Sequence, residues 1–111
     1  MINEVTISGR ITSQLELKHT INGKPLLNFT LGTNERRDEQ EYTVWVDITA
    51  WNGIADDTAK NMRKGSPVLI HGHLSQSKWE EEGRNRSRLF VTAKSIEFLE
   101  SAKAEARSSS T

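Results

Sequence analysis

Two tryptophans six residues apart, Trp45 and Trp51, carry the most informative chemistry in this chain. They fall within Tyr42–Trp51, a stretch rich in aromatic and β-branched residues and free of Gly and Pro, which predicts a strand. Side chains alternate across a strand. Tyr42, Val44, Val46, Ile48 and Ala50 therefore share one face, expected to be core, and Thr43, Trp45, Asp47, Thr49 and Trp51 share the other. The second face sets two large aromatics among an aspartate and two threonines, on the side expected to meet water. Burial of such a side chain gains roughly 1.5–3 kcal/mol, so its exposure calls for a cover. A loop or a subunit interface is one cover. A ligand with flat faces is the other, and nucleic-acid bases fit, since stacking on an aromatic contributes about 1–3 kcal/mol per base whatever the base.

Cationic side chains are spaced for an extended anion. Arg84, Arg86 and Arg88 lie two apart and run directly into Leu89–Ala93, so in an extended segment they aim at one target, for which phosphate contact is the preferred use. Arg36 and Arg37 sit in the polar run Asn34–Glu41, expected to be the protruding loop of a hairpin, where they either face solvent or grip phosphate. Arg10 projects from the outer side of the first strand as a further candidate. Other chemistry finds little support. His71 and His73 stand two apart with only His19 as a third imidazole, too few for a zinc site. The chain shows no nucleophile motif, glycine-rich phosphate loop or catalytic carboxylate pair. No enzyme, cofactor, metal or small-molecule substrate is expected.

The elements that position these residues follow from period-2 patterning. Val5, Ile7 and Ile11 predict a first strand bent at Gly9, and Leu15 and Leu17 continue the alternation. Asn22-Gly23 predicts a tight hairpin turn, since both residues tolerate positive φ. Leu27, Phe29 and Leu31 follow as a second strand, and the Trp45–Trp51 strand is the third. Ile54–Lys64 predicts one short helix with Ala55, Ala59 and Met62 on its apolar stripe, Asp56 and Asp57 in its first turn, and Gly65 as its stop. Val68, Ile70, Gly72 and Leu74 give a fourth strand, Glu80–Gly83 a turn, and Leu89 to about Leu99 a fifth. Five strands with one short helix between strands 3 and 4 is the order of an all-β, Greek-key OB-fold barrel. Residues 1–99 form that domain, and 100–111, ending Ser-Ser-Ser-Thr, predict a disordered tail.

Bulk numbers agree with one domain. At 111 residues the chain supports a core without staples, and with no cysteine it uses neither disulfides nor thiolate metal sites. Its start lacks a signal peptide's basic and apolar regions, and no window approaches a membrane span. Formal net charge is +0, which disfavours a polyanionic partner until its distribution is considered. Residues 1–59 carry 5 basic and 9 acidic groups, whereas residues 60–94 carry 8 basic and 3 acidic. The positive half is the half that holds the arginine row.

Laid out in order, the segments INEVTISGRIT, LELKHTING, WVDITAW, MRKGSPVLIHGHL, SKW and LFVTAKSIEFLE resemble the bacterial and phage single-stranded DNA-binding proteins over residues 1 to about 99. The resemblance implies a sequence-independent, non-catalytic binder of single strands acting in replication, recombination or repair. It also implies a homo-oligomer, with a tetramer favoured over a dimer, and a cytoplasmic, nucleoid-associated setting in a bacterium or phage-infected host. It adds Trp79 to Trp45 and Trp51 as stacking positions, and Lys18, Lys64 and Lys78 as basic positions near the strand path. Departures accompany it: Arg36 stands where many members place an aromatic, Asp47 adds a negative charge to the binding face, and Ser75 and Ser77 replace residues often basic. The flexible linker and acidic tip through which members recruit partners are missing from the sequence, so recruitment by that route is not expected. A second expectation, of another class, is a dimeric OB-fold accessory of replication restart that acts mainly by docking onto a helicase.

Overall fold

The computed structural model describes residues 1–99. Among them are β1 (Val5–Ile11), β2 (Glu16–His19), β3 (Pro25–Arg37), β4 (Gln40–Trp51), α1 (Asn52–Asn61), β5 (Pro67–Glu81) and β6 (Arg84–Phe98). The tail expected at 100–111 lies outside the described residues.

β1 does two jobs. It pairs antiparallel with β5 from Val5↔Gly72 to Arg10↔Pro67, then with β3 at Arg10↔Gly32 and Ile11↔Leu31. β3 pairs antiparallel with β4, β4 parallel with β6 at Ile48↔Val91 and Thr49↔Thr92, and β6 antiparallel with β5. The ring β1–β5–β6–β4–β3 is therefore closed. β2 follows a break after Ile11 and pairs with the start of β3. The break is tied down by the Thr12 N–H donating to the Thr30 carbonyl (2.8 Å) and the Thr30 N–H donating to Ser13 Oγ (3.0 Å). The expected five-stranded barrel is thus present, with β1 and β2 as two segments of its first strand, and the helix lies between β4 and β5.

The core holds the inward residues of every barrel strand: Ile11, Leu27, Phe29, Leu31, Ile48, Ala50, Val68, Ile70, Val91 and Ala93 are all buried. Each large aliphatic among them contributes roughly 1.5–3 kcal/mol on burial. α1 adds Ala55, with Ile54, Ala59 and Met62 packed against the cluster. It begins two residues earlier than expected and ends at Asn61, so Asp56 and Asp57 lie in mid-helix, exposed, and the first turn holds no acid. Gly65, at φ 95°, belongs to the turn entering β5, where its N–H donates to the Ile11 carbonyl (2.7 Å).

Three further expectations change. The Asn22-Gly23 turn is a three-residue loop in which only Gly23 takes positive φ (82°), because the Gly23 N–H closes onto the Thr20 carbonyl and Thr20 pairs with Lys24; this is a type I turn with a glycine bulge. Asn34–Glu41 is not a loop. The β3–β4 ladder continues to Arg37↔Gln40, and Asp38 and Glu39 alone turn, at φ 47° and 65°. The ribbon stands clear of the barrel with both faces wet, so its charged residues meet no desolvation cost in a strand. For the same reason Tyr42 and Val44 are exposed, and the core face of β4 starts at Val46.

β6 holds a bulge: His71 pairs with Ser95 and Gly72 with Ala93, leaving Lys94 between them unpaired. Gly72 fits there only without a side chain, since a Cβ would overlap the Thr92 carbonyl oxygen. Gly72→Ala is expected to lower stability by about 1–3 kcal/mol. Gly53→Ala, where a Cβ meets nothing within 4 Å, should stay within about 0.5 kcal/mol of the parent or gain from helix propensity. Urea midpoints at unchanged slope measure both.

Candidate nucleic-acid interface

The outer face of the β3–β4 pair is written in its register. Leu26 faces Trp51, Asn28 faces Thr49, Thr30 faces Asp47, Gly32 faces Trp45 and Asn34 faces Thr43. Alternation places every member of these pairs opposite the core residues Leu27, Phe29, Leu31, Ile48 and Ala50. β1 extends the Gly32–Trp45 row with Arg10, and β2 extends the others with Glu16 and Lys18. From the other side β6 and β5 add Thr92↔His73, Phe90↔Ser75, Arg88↔Ser77, Arg86↔Trp79 and Arg84↔Glu81. Trp45, Trp51 and Trp79 therefore occupy one continuous outer face together with the row Arg84, Arg86, Arg88.

Backbone economy positions the aromatics. Gly32 leaves room for Trp45 to lie over β3: a Cβ built there would stand 3.3 Å from the indole Cζ3. Trp45 remains 64% exposed, Trp79 43% and Trp51 38%. Trp51 borders a concavity lined by Leu26, Asn28, Thr49, Ser77, Arg88, Phe90 and Thr92. Thr49, expected to be wet, is buried, and its hydroxyl donates to Asn28 Oδ1 (2.8 Å). That bond engages the amide oxygen, and among the described residues the Asn28 NH₂ has no acceptor. An adjoining concavity reaches Lys18, Asn28, Thr30, Asp47 and Arg88.

The cations divide between faces. The Arg10 guanidinium donates to the Gly65 carbonyl (2.9 Å), which brings it close to the turn that carries exposed Lys64. Arg36, paired with Glu41, shares the tryptophan face. Arg37 takes the opposite one, 5.4 Å from the Tyr42 ring centre and 3.5 Å from Glu35. Lys78 likewise alternates away from Trp79, although both border a hollow with Asn85 and Arg86 at the far part of the β5–β6 ribbon. Arg86 lies 3.8 Å from Glu81, and Arg88 lies 3.8 Å from Asp47 and 5.1 Å from the Phe90 ring centre. Phe90 and Asn28 were not singled out from sequence, and Thr49 was read only as a wet position on the tryptophan face. Phe90 had a signal, because it continues the two-residue spacing of the arginine row.

A closed Greek-key barrel with an aromatic and cationic outer face across its middle strands defines the OB-fold class. Residues 2–99 match the model of the single-strand binding protein family, and the chain belongs to that family. It is 35% identical over 104 residues to the single-stranded DNA-binding protein of Aquifex aeolicus, covering 89% of this chain and 71% of that one. It is 35% identical over 102 residues to the single-stranded DNA-binding protein of Treponema pallidum, covering 88% and 58%. A third relative, single-stranded DNA-binding protein 2 of Chlorobaculum tepidum, is 35% identical over 109 residues, covering 92% and 74%. The chain thus spans between somewhat over half and about three quarters of the length of these relatives.

The order of tryptophan exposure is measurable. In variants that keep one tryptophan and replace the others with Phe, acrylamide quenching should be strongest for Trp45 and weaker for Trp51 and Trp79. Equal, weak quenching of all three would mean the face is covered in solution.

Proposed function

We propose that residues 1–99 form a sequence-independent single-stranded DNA-binding domain whose tryptophans stack on bases and whose arginines and lysines contact phosphates. One observation carries the reading: Trp45, Trp51 and Trp79 share one outer face with Arg84, Arg86 and Arg88. Each aromatic offers a π-face and no edge-reading pattern, so any base suffices. The single-stranded DNA-binding relatives support the same ligand. Arg10, Lys18 and Arg36 border the face and are proposed phosphate contacts. Lys64 is proposed through its closeness to the Arg10 corner, and Arg37 and Lys78 as contacts where a strand passes over the ribbon edges.

The protein is proposed to act as a homo-oligomer in replication, recombination or repair, as a tetramer in preference to a dimer. Exposed Val44, Leu74 and Leu89 support association, because they lie on the ribbon faces turned away from the tryptophans. A copy docked there would leave the DNA face open.

Titration with oligo(dT) should quench tryptophan fluorescence strongly. Affinity should fall by roughly tenfold or more between about 50 and 200 mM salt as phosphate contacts are screened. Trp51→Ala should weaken binding by about five- to 150-fold, the range of one lost stacking contact, with the far-ultraviolet spectrum unchanged. Folded protein that shows no quenching at low salt would overturn the reading in favour of protein docking.

A further inference from the structure

Asp47 is the one acid on β4 between the two tryptophans, two residues from Trp45 and four from Trp51 on the same face. A strand stacked on both rings passes over it. Its carboxylate lies 3.8 Å from Arg88 Nη1, and both side chains are about half exposed (47% and 48%). Arg88, with Asn28, also lines both of two adjoining concavities, one reaching Lys18 and the other Trp51. It stands where a backbone joining bases on Trp45 and Trp51 needs a counter-charge. The Phe90 ring, 5.1 Å from the guanidinium, backs Arg88 independently of Asp47.

An exposed ion pair of this kind adds little to folding. Its position gives it another consequence. We propose that Asp47 is an internal competitor of the DNA phosphate: it holds Arg88 in the free protein and releases it when a strand is seated. The inference rests on the single-strand reading above. Binding at this point is an exchange. A phosphate that takes Arg88 must first break the Asp47–Arg88 pair, so part of the attraction it gains is offset by the attraction lost. With Asn at position 47 nothing has to be broken, and the advantage is greatest at low salt, where the exposed pair is least screened.

The test is oligo(dT) titration across a salt series with the parent chain, Asp47→Asn, Arg88→Gln and the double variant. Asp47→Asn is expected to bind about two- to fivefold tighter at low salt, the scale of an exposed ion pair. The gain should shrink as salt rises and screens the Asp47–Arg88 pair, and it should vanish in the Arg88→Gln background. Equal or weaker binding by Asp47→Asn, with the parent binding well, overturns the exchange and leaves the single-strand reading intact. An affinity gain that persists without Arg88 also overturns it, because Asp47 would then act by general repulsion. Failure of the parent to bind at low salt overturns both readings. Position 47 is exposed, so folding of the variants is not at stake, and circular dichroism checks it.

Discussion

The barrel depends on one close crossing, where β1 leaves β5 and meets β3. A Cβ at Gly9 would overlap the Gly32 carbonyl oxygen, so the two backbones approach as closely as they do only because position 9 has no side chain. The approach lets Arg10↔Gly32 and Ile11↔Leu31 pair, which closes the ring. It also fixes the outer surface, because Gly32 is the residue over which Trp45 lies. One crossing therefore decides that β3 has an inner face of Leu27, Phe29 and Leu31 and an outer face low enough to seat an indole. Barrel closure and the seat of Trp45 are two sides of the same glycine pair.

From that crossing the strand lengths explain the shape of the candidate interface. β4 and β6 pair in parallel over only two positions, Ile48↔Val91 and Thr49↔Thr92. Upstream of these both strands run on, to Gln40 and Arg84, each within an antiparallel ribbon closed by a two-residue turn of positive φ. Because the pairing is parallel, both ribbons leave the barrel at the same end. They lengthen the outer face without adding a core, so Trp79 and Arg86 can sit well beyond the last buried layer. The cost is that their inner faces are uncovered, and Val44, Leu74 and Leu89 are exposed there.

Sequence patterning revealed the barrel because alternation holds wherever one face is buried: Leu27, Phe29, Leu31, Ile48, Val68 and Ile70 all fell as expected. It misjudged segments where burial and polarity part company. The charged run Asn34–Glu41 has loop composition yet forms ladder, since a free ribbon does not penalise charge. Tyr42 and Val44 have strand-core composition yet are wet, since the ribbon that carries them stands clear of the barrel core. The Trp45–Trp51 and Arg84–Arg86–Arg88 groupings were legible as same-strand parity, whereas Trp79, beyond the expected end of the fourth strand, joined the set only through the family resemblance. What parity could not supply is the pairing of one strand with another. Arg88 beside Asp47, 41 positions apart in the sequence, depends on the short parallel contact between β4 and β6, and no local pattern announces it.

That pairing also reconciles a chain of zero net charge with a polyanionic ligand. Affinity for a phosphate chain is set by the field along its path, and charges beyond about 10 Å are screened at ordinary ionic strength. Along this path the acids are not scattered. Asp47 stands by Arg88, Glu81 by Arg86, and Glu41 is the register partner of Arg36. The Asp47 and Glu81 carboxylates each lower the free charge of the arginine beside them. On the proposed single-strand reading, a paired arginine adds less affinity for phosphate than an unpaired one would. Stacking, on that reading, supplies a larger share of the binding free energy, and the ion pairs temper what the phosphate contacts add.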